Sequence, residues 1–251
     1  MKLKQLDFML TIMNKIIFHS SRPYNKNTEE YLPVPSKTEI PNWFSKASKY
    51  WKNMDGSYIV DHLGERGLGF KSCPALLDSF SIGYLLKTPC DLAFYEKDGD
   101  IHVETPKGFE EFCARREEMP EFVVPHGYRK THFHWWPNWS METPEGYSLL
   151  VINPLNRFDL PFLTTNGIID SDMYTISGLI PFFLKDNFVG LIPKGTPYAQ
   201  VIPFKREDWK MEPIFHEKRT MIKKHVFTAR KFRVKGGGIY KKDIWKPKKY
   251  E

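Results

Sequence analysis

Between residues 121 and 204 the apolar stretches of this chain are short, and Pro, Gly or Asn interrupts them at close intervals. An amphipathic helix needs its pattern held over about ten residues or more, whereas a strand needs only about four to eight. The punctuation therefore confines this region to short strands joined by turns, the pattern of a sandwich or barrel. The strand candidates are 121–124, 147–152, 167–169, 177–184, 188–192 and 199–204. Composition points the same way. The 19 Phe, 12 Tyr and 7 Trp accompany 19 Pro and 16 Gly, which favours strands and turns over a helical bundle.

The flanking regions read differently. In residues 1–18, Leu6, Leu10, Met13 and Ile17 fall at helical spacing. Residues 19–41 are polar and carry Pro23, Pro33, Pro35 and Pro41, which predicts an extended arm. A short helix within 42–52 would anchor that arm through Trp43, Phe44, Tyr50 and Trp51. Residues 61–120 are mixed. A helix follows Cys73, with Pro74 at its first position and Gly83 past its end. A hairpin over 91–104 turns at Asp98-Gly99, a pair suited to a primed two-residue turn. A second short helix is expected over 110–118. After Arg206, Ile222, Val226, Ala229 and Phe232 lie on one helical face between basic residues, and Gly236–Gly238 end that helix. No internal repeat stands out. The expected fold is mainly β (α+β): a sandwich or β-clip-like core within 121–204, carrying an N-terminal helix and arm (1–60), a mixed α/β segment (61–120) and a basic C-terminal helix and tail (205–251). Together these make one domain over 1–251.

Hydrophobic residues at 41% and charged residues at 27% lie in the globular range and exclude a disordered chain. No apolar run approaches ~18 residues, so no membrane partner is expected. Asp7, Asn14 and Lys15 break the first segment, which lacks the apolar centre of a signal peptide. Cys73, Cys90 and Cys113 are odd in number and unclustered, as expected for reduced thiols in the cytoplasm. The net charge of +7 is uneven, because residues 205–251 hold 16 Lys and Arg against 6 Asp and Glu. That segment, with Phe232, Tyr240, Trp245 and Tyr250 among its cations, should attract nucleic acid weakly and without sequence preference at low salt.

Two local patterns touch on chemistry. His132 and His134 would share a face of an extended strand, which is how a cupin-like metal cage begins, with Glu142 as a later carboxylate. The third His such a cage needs is missing between His134 and His216, so no metal is expected. The segment Gly64-Glu65-Arg66-Gly67-Leu68-Gly69 has the glycine density of a phosphate loop but not its spacing or its strand–helix setting, and reads as a mobile glycine loop. No CxxC pair or nucleophile elbow is present, and the sequence leaves open whether the chain is an enzyme.

The segment 143–206 carries the most information. Gly167-Ile168-Ile169-Asp170-Ser171-Asp172 places two carboxylates just after an apolar strand, and their i, i+2 spacing aims both at one face. Gly195 follows Gly167 by 28 residues and opens a segment reaching Gln200. This order resembles the dUTPase family, which has a proline–glycine turn, a GVIDxDY-type segment and a later G-x-x-x-AQ segment. The resemblance implies that Asp170 activates an attacking water, with Asp172 beside it. It implies that Arg157, Tyr174, Lys194 and Gln200 bind ligand, and that Mg²⁺ accompanies a nucleotide. Three departures accompany it. Asn153-Pro154 stands where the family has Arg-Ser, the aromatic after the second Asp is displaced to Tyr174, and Gly236-Gly237-Gly238 lacks the Ser-Thr of the family's phosphate loop.

A second resemblance covers roughly residues 31–211. Thr143-Pro144-Glu145-Gly146-Tyr147-Ser148, Gly167-Ile168-Ile169-Asp170 and Gly195-Thr196-Pro197 with Gln200-Val201-Ile202-Pro203-Phe204-Lys205-Arg206 are similar to a family of tailed phages and some bacteria. It implies a viral or bacterial source and no particular chemistry. The leading expectation is a cytoplasmic phage accessory protein that binds a ligand or partner through its β core, without a cofactor. Its partner would be a nucleotide or a phage or host protein, and homo-oligomers are compatible with it. The alternatives are a dUTPase-like nucleotide hydrolase and a structural component of virion assembly.

Overall fold

The computed structural model describes residues 15–20, 26–60, 64–116, 123–173, 178–233 and 244–251. The chain forms two compact units, one of residues 1–36 and 83–206, the other of residues 37–82 and 207–251.

The first unit holds the strands β1 (Ile17–His19), β2 (Val34–Pro35), β3 (Tyr84–Lys87), β4 (Leu92–Lys97), β5 (Asp100–Glu104), β6 (Cys113–Arg115), β7 (Tyr128–Trp135), β8 (Ser140–Glu142), β9 (Tyr147–Ile152), β10 (Phe162–Thr164), β11 (Gly167–Ile169), β12 (Ile180–Lys185), β13 (Gly190–Ile192) and β14 (Pro197–Lys205). Strand residues exceed helical ones, 35% to 16%, so the mainly β expectation holds. The strands pair antiparallel in sheets ordered β10-β12-β7-β6, β11-β9-β14-β3-β2 and β13-β4-β5, with β1 on β8.

One apolar core draws on all four of these sheets. Trp135 of β7 stacks on Phe182 of β12 with centroids 3.7 Å apart, and Phe133 and Phe162 close around the same ring of Phe182. Tyr198 of β14 brings the second sheet against Trp135 at 5.2 Å. The buried Trp135 Nε1–H donates to Thr164 Oγ1 (3.0 Å), whose hydroxyl donates in turn to the Tyr198 carbonyl (2.6 Å), so the indole is buried without leaving its donor unpaired.

The 91–104 hairpin forms as expected. Lys97 faces Asp100 across a turn in which Asp98 and Gly99 both have positive φ (54° and 83°), the conformation a right-twisted two-residue hairpin needs. Strands β9 and β11 have the expected bounds. Other expectations are corrected. Where a helix is expected over 110–118, the described residues 110–116 form a turn followed by β6, because Cys113 and Arg115 pair with Trp135 and Phe133 and bury the Cys113 side chain, while 117 and 118 lie outside the described residues. Only 1–14 of the N-terminal helix lies outside the described residues, and Ile17–His19 is a strand on β8. Residues 123–125 are not strand. The extended stretch expected around His132 and His134 is the end of β7, which begins at Tyr128 because pairing with β12 and β6 holds a run that lacks clean alternation.

The second unit holds helices α1 (Asn42–Lys46), α2 (Pro74–Ser81) and α3 (Lys218–Arg233). Phe44 and Phe80 are buried against each other at 4.7 Å. Pro74 begins α2 as expected, and α3 is the basic helix, while Gly236–Gly238 and Tyr240 lie outside the described residues. Trp245 Nε1–H and Lys248 Nζ both donate to the Asp78 carboxylate, which ties the tail to α2.

Between α1 and α2 lies a feature the sequence did not announce. Segments 49–52, 57–60 and 66–69 join through the bridges Tyr50↔Leu68, Lys52↔Tyr58 and Val60↔Arg66. Trp51 N–H donates to Gly67 O, Gly67 N–H to Ile59 O, and Ile59 N–H to Trp51 O, a closed ring of backbone hydrogen bonds at eight-residue intervals. Gly56 and Gly64, also eight apart, take positive φ (83° and 77°) in the turns. The chain thus repeats an eight-residue unit, and the expected mobile glycine loop is in part this ribbon. Gly67 sits under Trp51, where a Cβ would fall 2.9 Å from Cε3, so the third strand omits the side chain that the first supplies.

Candidate functional site

The two carboxylates singled out by sequence lie where three strands of the first unit converge. Ile169 of β11 pairs with Leu149 of β9, and β9 pairs with β14 so that Ser148 faces Phe204. This register brings Asp170, Ser148 and Arg206 together, with Arg206 N–H donating to Gly146 O at 2.8 Å. Beyond β11 the chain turns over 170–173, where Met173 N–H donates to Asp170 O.

Asp172 points into this turn, and its side chain is only 3% exposed. Its Oδ2 accepts from Gly146 N–H (2.8 Å) and from Arg206 Nη2, and its Oδ1 accepts from Nη1 at 2.9 Å, a two-pronged guanidinium–carboxylate pair. The Arg206 hydrogen bond above all, with the Gly146 amide and the guanidinium charge, lowers the Asp172 pKa from 3.8 to about 2, against the opposing effect of desolvation. Arg206 Nη1 also donates to Tyr147 O and to Ser148 Oγ, both at 3.0 Å. Thr143 Oγ1 donates to Tyr147 O, so the proton between Thr143 and Ser171 (2.8 Å) comes from Ser171. Asp172 is therefore the anchor of the 143–147 turn.

Asp170 has a different setting, with its side chain 62% exposed. Ser148 Oγ donates to its Oδ1 at 2.6 Å, and Arg206 Nη1 approaches the same oxygen at 3.4 Å. Its other oxygen has no donor among the described residues and is free to accept one.

The remaining candidates lie elsewhere. Gln200 is buried on β14 opposite Ile152, six residues and roughly 20 Å along the strand from Arg206. Its Oε1 accepts from Leu155 N–H at 2.9 Å, which fixes the turn that carries Arg157. Arg157 is paired with Asp159 at 2.8 Å. Lys194 Nζ meets Glu30 at 2.7 Å, while its backbone amide donates to Asp91. Tyr174 lies outside the described residues. The structure thus joins Asp170 with Asp172 and joins Gln200 with the Arg157 turn, at opposite ends of β14.

The sequence reading gave no role to Ser148 or Arg206, the groups that organise the carboxylates. Arg206 ends the Gln200–Arg206 motif, but only strand register shows that it returns to residues 146–148. The histidine pair does share a face of β7. His132 is buried against the Phe183 ring, and burial above all, then Arg116 and His132, pushes the His134 pKa down. Glu142 is bonded instead to His19 at 3.0 Å. Among the described residues no three His, Cys, Asp or Glu side chains gather as metal ligands, and no helix is long and apolar enough to cross a membrane.

Neither protein-family models nor curated proteins match this chain.

Proposed function

We propose that the chain is a phage-encoded accessory protein that works in the host cytoplasm by binding a ligand or partner through its β core. One observation carries this reading. The side chains that would have to grip a nucleotide's phosphates are engaged within the fold: Arg206 by Asp172, Arg157 by Asp159, Lys194 by Glu30, and Gln200 by the Leu155 amide. Triphosphate transfer depends on several donors converging on the phosphates. What the β core offers instead is an acceptor, the open oxygen of Asp170, which suits a ligand with a hydrogen-bond donor or a positive charge.

The exposed carboxylate is also what favours the second reading, a dUTPase-like hydrolase in which Asp170 is the general base and Mg²⁺ escorts the substrate. A panel of nucleoside triphosphates with Mg²⁺, read by thermal shift and by pyrophosphate release, separates the two. A ligand present at 100 times its Kd would stabilise the protein by about 2.7 kcal/mol. The expected result is neither a shift nor turnover with any nucleotide. Turnover of dUTP that Asp170→Asn abolishes, in a variant as stable as the parent, would overturn the binding reading and establish the hydrolase.

A further inference from the structure

The eight-residue ribbon of the second unit gathers cations and aromatic rings at its surface. Its equivalent positions 50, 58 and 66 carry Tyr, Tyr and Arg, and the three side chains meet. The two phenol rings pack edge to face at 5.9 Å, and the Arg66 guanidinium lies 4.1 Å from the Tyr58 centroid and 5.9 Å from that of Tyr50. Lys49 and Lys52 stand over the same two rings at 5.4 and 5.3 Å. All three cations are exposed, and none has a carboxylate partner among the described residues. The acidic residues of the described ribbon are Asp55, which is turned onto the amide and hydroxyl of Ser57, and Glu65. Trp51, next to Tyr50 in the chain, packs against the Gly67 position and remains 51% exposed. Tyr58 is also exposed.

Among the described residues these three clustered cations have no carboxylate counterion, and their exposed contacts with the Tyr50 and Tyr58 rings are worth only about 0.5–1 kcal/mol each. Exposed rings set among them supply what a charge cluster alone lacks, flat π surfaces next to positive charge. We infer that this ribbon is a binding site for single-stranded nucleic acid, in which a base stacks on Trp51 and the phosphates on either side are taken by Lys49, Lys52 and Arg66. Single strands suit this surface because their bases are free to leave the stack and lie on an aromatic ring, and such stacking tolerates any sequence. An acidic peptide would satisfy the cations but would leave the indole without a partner. Duplex DNA would offer phosphates but keep its bases inside the helix. The site is separate from the Asp170 region and does not depend on how that region functions. It also differs from a general attraction to the basic C-terminus, which would be indifferent to Trp51.

The test uses the full chain and a fluorescent dT20 oligonucleotide, titrated at about 50 and 150 mM salt, with a 20-residue oligoglutamate and a 20-base-pair duplex as competitors. Wild type should bind dT20 at both salt concentrations and prefer it to either competitor. Trp51→Ala should weaken binding roughly 5- to 150-fold, the range for losing one base–aromatic stack. Trp51→Phe should retain most of the affinity, which guards against a loss caused by a misfolded ribbon. Lys49→Gln with Lys52→Gln should lower the salt slope by about 1.4, or 0.7 for each single-strand phosphate contact. Three results would overturn the inference: no binding at 50 mM salt, equal competition by oligoglutamate, or an affinity that Trp51→Ala leaves unchanged.

Discussion

The two compact units use the same residue types to opposite ends. In the first, Trp135, Phe133, Phe162, Phe182 and Tyr198 form one sealed ring cluster, and the indole N–H of Trp135 is tied to Thr164. Its candidate ligand-binding cations are paired off, Arg206 with Asp172, Arg157 with Asp159 and Lys194 with Glu30. In the ribbon of the second unit, Trp51 and Tyr58 face solvent, and the cations lie over aromatic faces rather than beside carboxylates. An aromatic side chain is thus structural in one unit and available in the other. What separates the two cases is whether strands of a second sheet cover it.

The sharpest way to break this contrast is to remove one Trp from each unit. Trp135→Ala should destabilise the protein by about 3–5 kcal/mol, because it empties a fully buried site. Trp51→Ala should cost less than about 1 kcal/mol, as expected for a half-exposed ring. Urea denaturation measures both, and equal losses would mean that the ribbon's Trp is a core residue in its own right.

A smaller difference should separate two glycines. At Gly83, φ is +73° and a Cβ would lie 2.2 Å from the Val201 carbonyl, an obstacle made of sheet backbone that cannot move aside. Gly83→Ala should therefore cost about 1–3 kcal/mol or more. At Gly67 the obstacle is the Trp51 ring at 2.9 Å, an exposed side chain able to swing away. Gly67→Ala should be milder, and a change in Trp fluorescence should report the displaced ring.

The third prediction concerns acid. Asp172 is held at about 2, below the ordinary 3.8, so its contribution to stability is complete above pH 3.8 and is lost as pH falls from there through 2. Arg206→Gln removes the main cause of that shift. The variant should be less stable at neutral pH, and its stability should fall less steeply between pH 4 and 2. If acid titrations of the two proteins run parallel, Arg206 is not what lowers the Asp172 pKa.

Local chemistry in the sequence was enough to specify the short elements: the Asp98-Gly99 hairpin through its two positive-φ residues, the start of α2 at Pro74, β9 and β11 from compact apolar runs, and the basic helix α3. Each depends on preferences acting over a few neighbouring residues. The same reasoning missed β6 and reached β7 only as the extended stretch around His132 and His134, because the strand character of both comes from pairing with each other and with β12 rather than from regular alternation. It also missed the ribbon, although the eight-residue spacing of Tyr50, Tyr58 and Arg66 and of Gly56 and Gly64 is visible once sought. The candidate site divides in the same way. The i, i+2 spacing of Asp170 and Asp172 was legible, but their different fates were not. Asp172 is sealed under Arg206 and the Gly146 amide, while Asp170 keeps an open oxygen, because β9, β11 and β14 bring together residues 26 and 34 positions from Asp172. Contacts across such separations are set by sheet register, and register is a property of the packed strands rather than of any one stretch of sequence.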